Sequence, residues 1–256
     1  MKLLIKKIAN IKIIILLRNF IGFRPVIFSP SYKKFKTVSV SDAFAWRTDN
    51  GYKTIFKYTD ILGLFSKLEG SFVELIFFTK DNEFIKKIVI NQLDYSNELL
   101  IDKEFLNGKE GYGTFSIFHH SKIRLKDELA IANRCYVGFS INNGSNSFVH
   151  GNGHVNFKSL NGEFHGSGMV LKSLFKNTYR IQNSFLGFEK TELFFVNPSS
   201  KRVKFSIGSA KYNLKQGCSI LVDVSAHNNV SIKSRCLFLR PTVFNYHNNF
   251  FDVYHS

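Results

Sequence analysis

The sequence predicts a mainly β protein: two tandem β-sandwich domains, immunoglobulin-like or of a related kind, behind a short basic, apolar N-terminal segment. Three observations predict this. Beyond Pro30, short runs rich in Val, Ile, Phe, Tyr and Thr are separated by turn residues at the spacing of a sandwich or barrel. The two halves resemble each other at a fixed offset. Glu74 to Thr79, a turn and Ile85 to Ile90 correspond to Glu192 to Val196, a turn and Val203 to Ile207, 118 residues later. Basic charge is concentrated at the front, with nine Lys or Arg and no acid in the first 36 residues, against 26 bases and 19 acids in the other 220. The expected boundaries are 1–34 for the leader, 35–158 for the first sandwich and 159–256 for the second.

The leader reads MKLLIKKIANIKIIILLRNFIGFRPVIF. Its longest apolar run, Ile13 to Leu17, is closed by Arg18, and no small-residue cleavage site follows, so it does not fit a signal peptide. A spanning helix needs about 20 apolar residues, and Lys6, Lys7, Lys12 and Arg18 interrupt any such run. Two readings stay open. The segment docks on an anionic membrane surface, with Ile and Leu buried and Lys snorkelling, or it packs on the protein's own core.

In the first half, strands are predicted over Thr37 to Trp46, Ser71 to Thr79, Phe84 to Asn91, Tyr112 to His119 and Arg134 to Asn142. Asn143-Gly144 is a hairpin signal, and Lys122 to Asn133 is the one stretch that suits a helix or an irregular loop. In the second half, strands are predicted over Thr178 to Gln182, Thr191 to Val196, Val203 to Ile207, Ser219 to Val224, Val230 to Ser234 and Cys236 to Leu239. Asn197-Pro198-Ser199-Ser200 is a turn in which Pro fixes φ and Asn bonds its own backbone.

The net charge of +16 invites a nucleic-acid reading. Lys exceeds Arg, however, and Phe, Ile, Asn and Tyr are abundant while Pro is scarce, the joint bias of AT-rich coding. The body's Lys residues are dispersed along the chain and no recognition motif accompanies them, so no dedicated nucleic-acid role is expected. The three cysteines, Cys135, Cys218 and Cys236, form neither a disulfide framework nor a Cys zinc site; they read as small apolar residues of a reducing compartment.

The histidines are the most suggestive chemistry. His119 and His120 end a predicted strand, and His150 precedes the glycine-rich turn Gly151-Asn152-Gly153. As ligands or acid–base groups, His119, His120 and His150 are the candidate catalytic set, with a divalent transition metal as the alternative to no cofactor. Asn152, His154, Arg240, Asp252 and His255 are the candidate binding residues. Scattered surface and core imidazoles are the plainer alternative. The glycine-rich turn lacks the Lys-Ser or Lys-Thr of a phosphate loop, and Gly138-Phe139-Ser140-Ile141-Asn142 lacks the closing Gly of a nucleophile elbow.

Phe148-Val149-His150-Gly151-Asn152, Glu192 to Pro198 and Asp252 to His255 resemble stretches of uncharacterised bacterial proteins found among surface-polysaccharide biosynthesis functions. The basic, apolar start is similar to the membrane-proximal leaders of capsule and lipopolysaccharide glycosyltransferases, although the α/β nucleotide-sugar domain of those enzymes is missing. The resemblance implies a link to surface glycans and assigns no reaction; a β-rich tandem architecture with no catalytic motif favours binding, so a noncatalytic, carbohydrate-associated protein with a glycan ligand is expected, cytoplasmic or peripheral at the inner face of the membrane. The alternative is a His-dependent enzyme acting on a glycan or a related small molecule.

Overall fold

The computed structural model describes residues 8–22, 37–123, 129–132, 135–142, 144–159, 164–166, 172–181, 188–197, 199, 201–225, 229–237, 239–247 and 250–255, with backbone alone at 37–38, 129–132, 152–159 and 164–166. The chain is mainly β. In the first half the strands are β1 Thr37–Arg47, β2 Tyr52–Tyr58, β3 Ser71–Thr79, β4 Phe84–Ile90, β5 Asn97–Ile101, β6 Tyr112–Ser121, β7 Leu129–Ala132, β8 Tyr136–Ile141, β9 Ser147–Val149, β10 Asn152–Ser159 and β11 Phe164–Gly166. The second half follows with β12 Lys172–Ile181, β13 Lys190–Val196, β14 Val203–Ile207, β15 Ala210–Leu214, β16 Ser219–Asp223, β17 Val230–Cys236, β18 Thr242–His247 and β19 Phe250–His255. Two helices accompany them among the described residues, α1 Lys12–Ile21 and α2 Ile61–Ser66.

The strands form four sheets. In the first half, β11-β10-β1-β6-β3-β4 faces β5-β2-β8-β9 across a core that includes Phe44, Phe56, Phe77, Phe115 and Phe139. The second half pairs β12-β17-β14-β15 with β16-β13-β18-β19 around Leu193, Phe195, Phe205, Ile232 and Val243. Pairing is antiparallel apart from β7, which lies parallel to β1. That short strand departs from the helix or loop expected over 122–133; Leu129–Ala132 finds its partner in the start of β1 rather than in a local turn. Of the strand expected over Cys236 to Leu239, Cys236 ends β17, and Phe238 lies outside the described residues. Asn143 and Gln182 lie outside the described residues.

One sheet is buried on both faces. Along β13, Leu193 and Phe195 enter the second core, while Phe194 and Val196 enter the first. The adjoining β18 does the same with Val243 and Phe244. This is why Leu193 to Val196 reads as a continuous apolar run rather than an alternating one. The seam is therefore a mostly apolar core crossed by the buried Arg47–Glu192 ion pair, not a solvated domain boundary. Ser219 N also donates to the Lys80 carbonyl (2.8 Å), and Val253 N to Ser147 Oγ (3.1 Å), tying the halves at two further points.

Asn197 carries the turn read from the sequence, although Pro198 and Ser200 lie outside the described residues. Its Oδ1 accepts from the Ser199 amide (3.1 Å), and its Nδ2 donates to the carbonyls of Lys201, Leu214 and Lys215. Helix α1 ends at Gly22, whose φ of 77° is left-handed. A Cβ there would sit 2.8 Å from Asn177 Oδ1 and 3.3 Å from Ser173 Cβ. Gly22→Ala is thus expected to cost about 1 kcal/mol or more, all of it in helix docking. Hydrogen exchange of Lys12–Ile21 should speed up while the β cores keep their protection; unchanged exchange would mean that the helix does not depend on this contact.

Candidate functional site

The structure distributes the predicted histidines over two places. His119 and His120 sit on β6, opposite Val73 and Phe72 of β3. His119 is 1% exposed, and neither ring nitrogen finds a hydrogen-bond partner among the described residues. Burial pushes its pKa down to about 4; Asp60 pulls upward and His120 adds to the depression. His120 stacks on Phe72 with ring centroids 5.1 Å apart. His150 lies in the connection between β9 and β10, its exposed ring 4.5 Å from that of Tyr136.

The structure brings His150 and His255 together through the backbone, with His255 Nε2 2.6 Å from the His150 carbonyl oxygen. Burial lowers the His255 pKa, the His150 carbonyl opposes that shift, and Arg240 contributes to the lowering. Asp252 is exposed on β19, its Oδ1 3.5 Å from Ser147 Oγ. Asn152 pairs with Ala43, and His154 falls in the irregularity between the partners of Ala43 and Asp42; the side chains of both lie outside the described residues. Gly151 has a packing reason, since a Cβ there would collide with Asp42 and Phe44. Among the described residues no group of three or more His, Cys, Asp or Glu is arranged to hold a metal ion. None of the three cysteines forms a disulfide, and Cys135 and Cys236 are buried.

A different constellation emerges on the second half. A cleft of about 680 Å³ opens against the sheet β12-β17-β14-β15, and five Lys and one Arg line it: Lys172, Lys176, Lys204, Lys211, Lys233 and Arg235. Strand alternation explains how they meet. Val203, Phe205 and Ile207 of β14 point into the core, so Lys204 points out. On β17, Ile232, Ser234 and Cys236 are buried, so Lys233 and Arg235 point out. On β12 the register jumps from the partner of Cys236 at Lys172 to the partner of Ser234 at Asn177, and the bulge carries Lys176 to the rim. Ser206 and Asn213 add polar groups, and among the described residues no acid lines the cleft. None of the six cations pairs with a described carboxylate.

Sequence reasoning missed this cluster because its members span residues 172 to 235 and read as dispersed Lys. The available signal was the apolar alternation of Val203 to Ile207 and Val230 to Cys236, which assigns every intervening base to one solvent face. A second, acidic cleft of about 900 Å³ opens beside α2, lined in part by Asp60, Glu69 and Asp94. Asp60 is committed locally, capping α2 through the Gly63 amide (2.9 Å).

No protein-family model matches the chain, and no curated protein matches it significantly. Among the described residues no helix is long and apolar enough to cross a membrane.

Proposed function

We propose that the protein is a noncatalytic carbohydrate-binding protein that captures an anionic glycan in the basic cleft of its second half, and that it serves surface-glycan handling at the inner face of the membrane. One observation carries this reading: six cations with no carboxylate partner among the described residues converge on a cleft that also offers Ser206 and Asn213. Clustered like charges repel one another and stabilise nothing in the fold, so their convergence suits an anion brought from outside. Hydroxyl and amide groups suit the oxygens of a sugar. Single-stranded nucleic acid is the competing polyanion, and it favours open aromatic platforms. Of the two aromatic residues lining the cleft, Phe205 is buried and Tyr212 has one face stacked on Phe205 at 4.9 Å.

The test is titration calorimetry with uronate-, sulfate- and phosphate-bearing oligosaccharides, their neutral counterparts, and a single-stranded oligonucleotide. Saturable binding of an anionic sugar is expected. Lys204→Glu combined with Arg235→Glu should weaken it by roughly tenfold or more and flatten its salt dependence, without changing the thermal midpoint. A blank panel with folded protein, or an oligonucleotide that binds more tightly than every sugar, would overturn the proposal.

A further inference from the structure

We infer that α1 and the β12 bulge form a docking face for an anionic lipid bilayer. The helix turns only a narrow stripe to the protein: Ile15 and Asn19 are buried where it lies along β12. Its broader apolar stripe faces away. Ile13, Leu16, Leu17 and Phe20, at the i, i+3, i+4, i+7 spacing of one helical face, are all exposed, Ile13 to 65%. The C-terminus of the helix rests against Ser173 and Asn177, at the two ends of the bulged stretch. Between them Leu174 and Phe175 are exposed as well, Phe175 to 58%, with the exposed Lys172 and Lys176 on either side. Six large apolar side chains thus crowd one region of the surface, more than single scattered exposures account for.

Charge selects the occupant. The first 36 residues hold nine bases and no acid, and the bulge adjoins the basic cleft, which no described acid lines. A second copy of this chain would bring the same positive surfaces together and be repelled. A bilayer of anionic lipids offers apolar depth for Leu and Phe and negative headgroups for the flanking Lys, so both halves of the face are satisfied at once. The ten-residue helix lies in the interface rather than crossing it.

The test uses the full chain, vesicles of phosphatidylcholine with and without phosphatidylglycerol, and two sets of variants at exposed positions. Wild-type protein is expected to sediment with the phosphatidylglycerol vesicles and to lose this at high salt. Leu16→Asp, Leu174→Asp and Phe175→Asp together should reduce partitioning by roughly tenfold or more while leaving the circular dichroism unchanged. The indole introduced by Phe175→Trp should be quenched by lipids brominated in the acyl chain, whereas the buried Trp46 of the wild type should not. Equal partitioning of the triple-Asp protein, or an unquenched indole, would overturn the inference. So would a dimer in light scattering that those substitutions dissociate. Sugar binding without vesicle binding would overturn the docking face alone and leave the cleft reading standing.

Discussion

Arg47→Ala is expected to cost about 3–5 kcal/mol of folding stability, read as a lowered urea midpoint. The guanidinium is fully buried at the seam between the halves. Its Nε and Nη2 donate to the two carboxylate oxygens of Asp49 (3.0 and 2.7 Å), and its Nη1 donates to Glu192 Oε2 across the seam (2.8 Å). The planar group lies 3.9 Å from the Tyr52 ring centroid and 4.9 Å from that of Phe244. Burial works against the charge, yet its pKa is raised, because the hydrogen bond to Asp49 and the negative charges of Glu192 and Asp49 outweigh desolvation. Truncation would empty the space between the two rings and leave Glu192 with Lys190 alone, 2.8 Å from its other oxygen. Lys57→Ala is the control, since the exposed Lys57–Glu98 pair at 3.3 Å should contribute under about 1 kcal/mol. Arg47→Met with Glu192→Leu should cost less than the sum of the single changes, because neither member of the buried Arg47–Glu192 pair is then left without the other. A midpoint shift for Arg47→Ala no larger than that of Lys57→Ala would sink the account. Because the sheet that carries Glu192 is buried on both faces, the two halves should unfold in a single transition.

What the sequence made legible follows from how each feature is encoded. β3 and β14 coincide with the predicted runs because β-branched and aromatic residues bounded by turn residues specify a strand locally. Glu192 to Val196 was visible as a strand but not as a wall shared by two cores, since an apolar run does not say which neighbour covers each face. Arg47 was invisible for the opposite reason. An Arg that ends a strand reads as solvent-exposed, and its partner Glu192 lies 145 residues away. The basic cleft was half legible: alternation fixes which face Lys204, Lys233 and Arg235 occupy, while their convergence depends on the order β12-β17-β14-β15, which no local pattern encodes. The histidines stood out by type, and type carries no distance; His150 and His255 meet through a backbone carbonyl, whereas His119 sits inside the first sandwich.

Acid is expected to weaken the fold through His119. In the unfolded chain this imidazole takes up a proton near its ordinary pKa of 6.5; in the folded protein burial delays uptake to about 4. Between those values the unfolded state binds more protons than the native state, so stability rises with pH across the window. The full contribution is present above about pH 6.5 and is lost progressively as pH falls towards 4, a total of about 3 kcal/mol. His119→Leu removes the titrating group while keeping an apolar side chain at a site flanked by Ser39, whose hydroxyl accepts the residue-119 amide rather than the ring (2.7 Å). That variant should match or exceed wild-type stability at neutral pH, because an unpartnered polar ring is no longer buried. It should also flatten the fall in urea midpoint between neutral pH and about pH 4.5. At neutral pH the ring is uncharged and inside the sandwich, so sugar binding should survive the substitution. Wild type and variant losing stability in parallel on acidification would show that His119 does not set the acid limit. Loss of sugar binding at unchanged stability would instead make the ring part of a binding site.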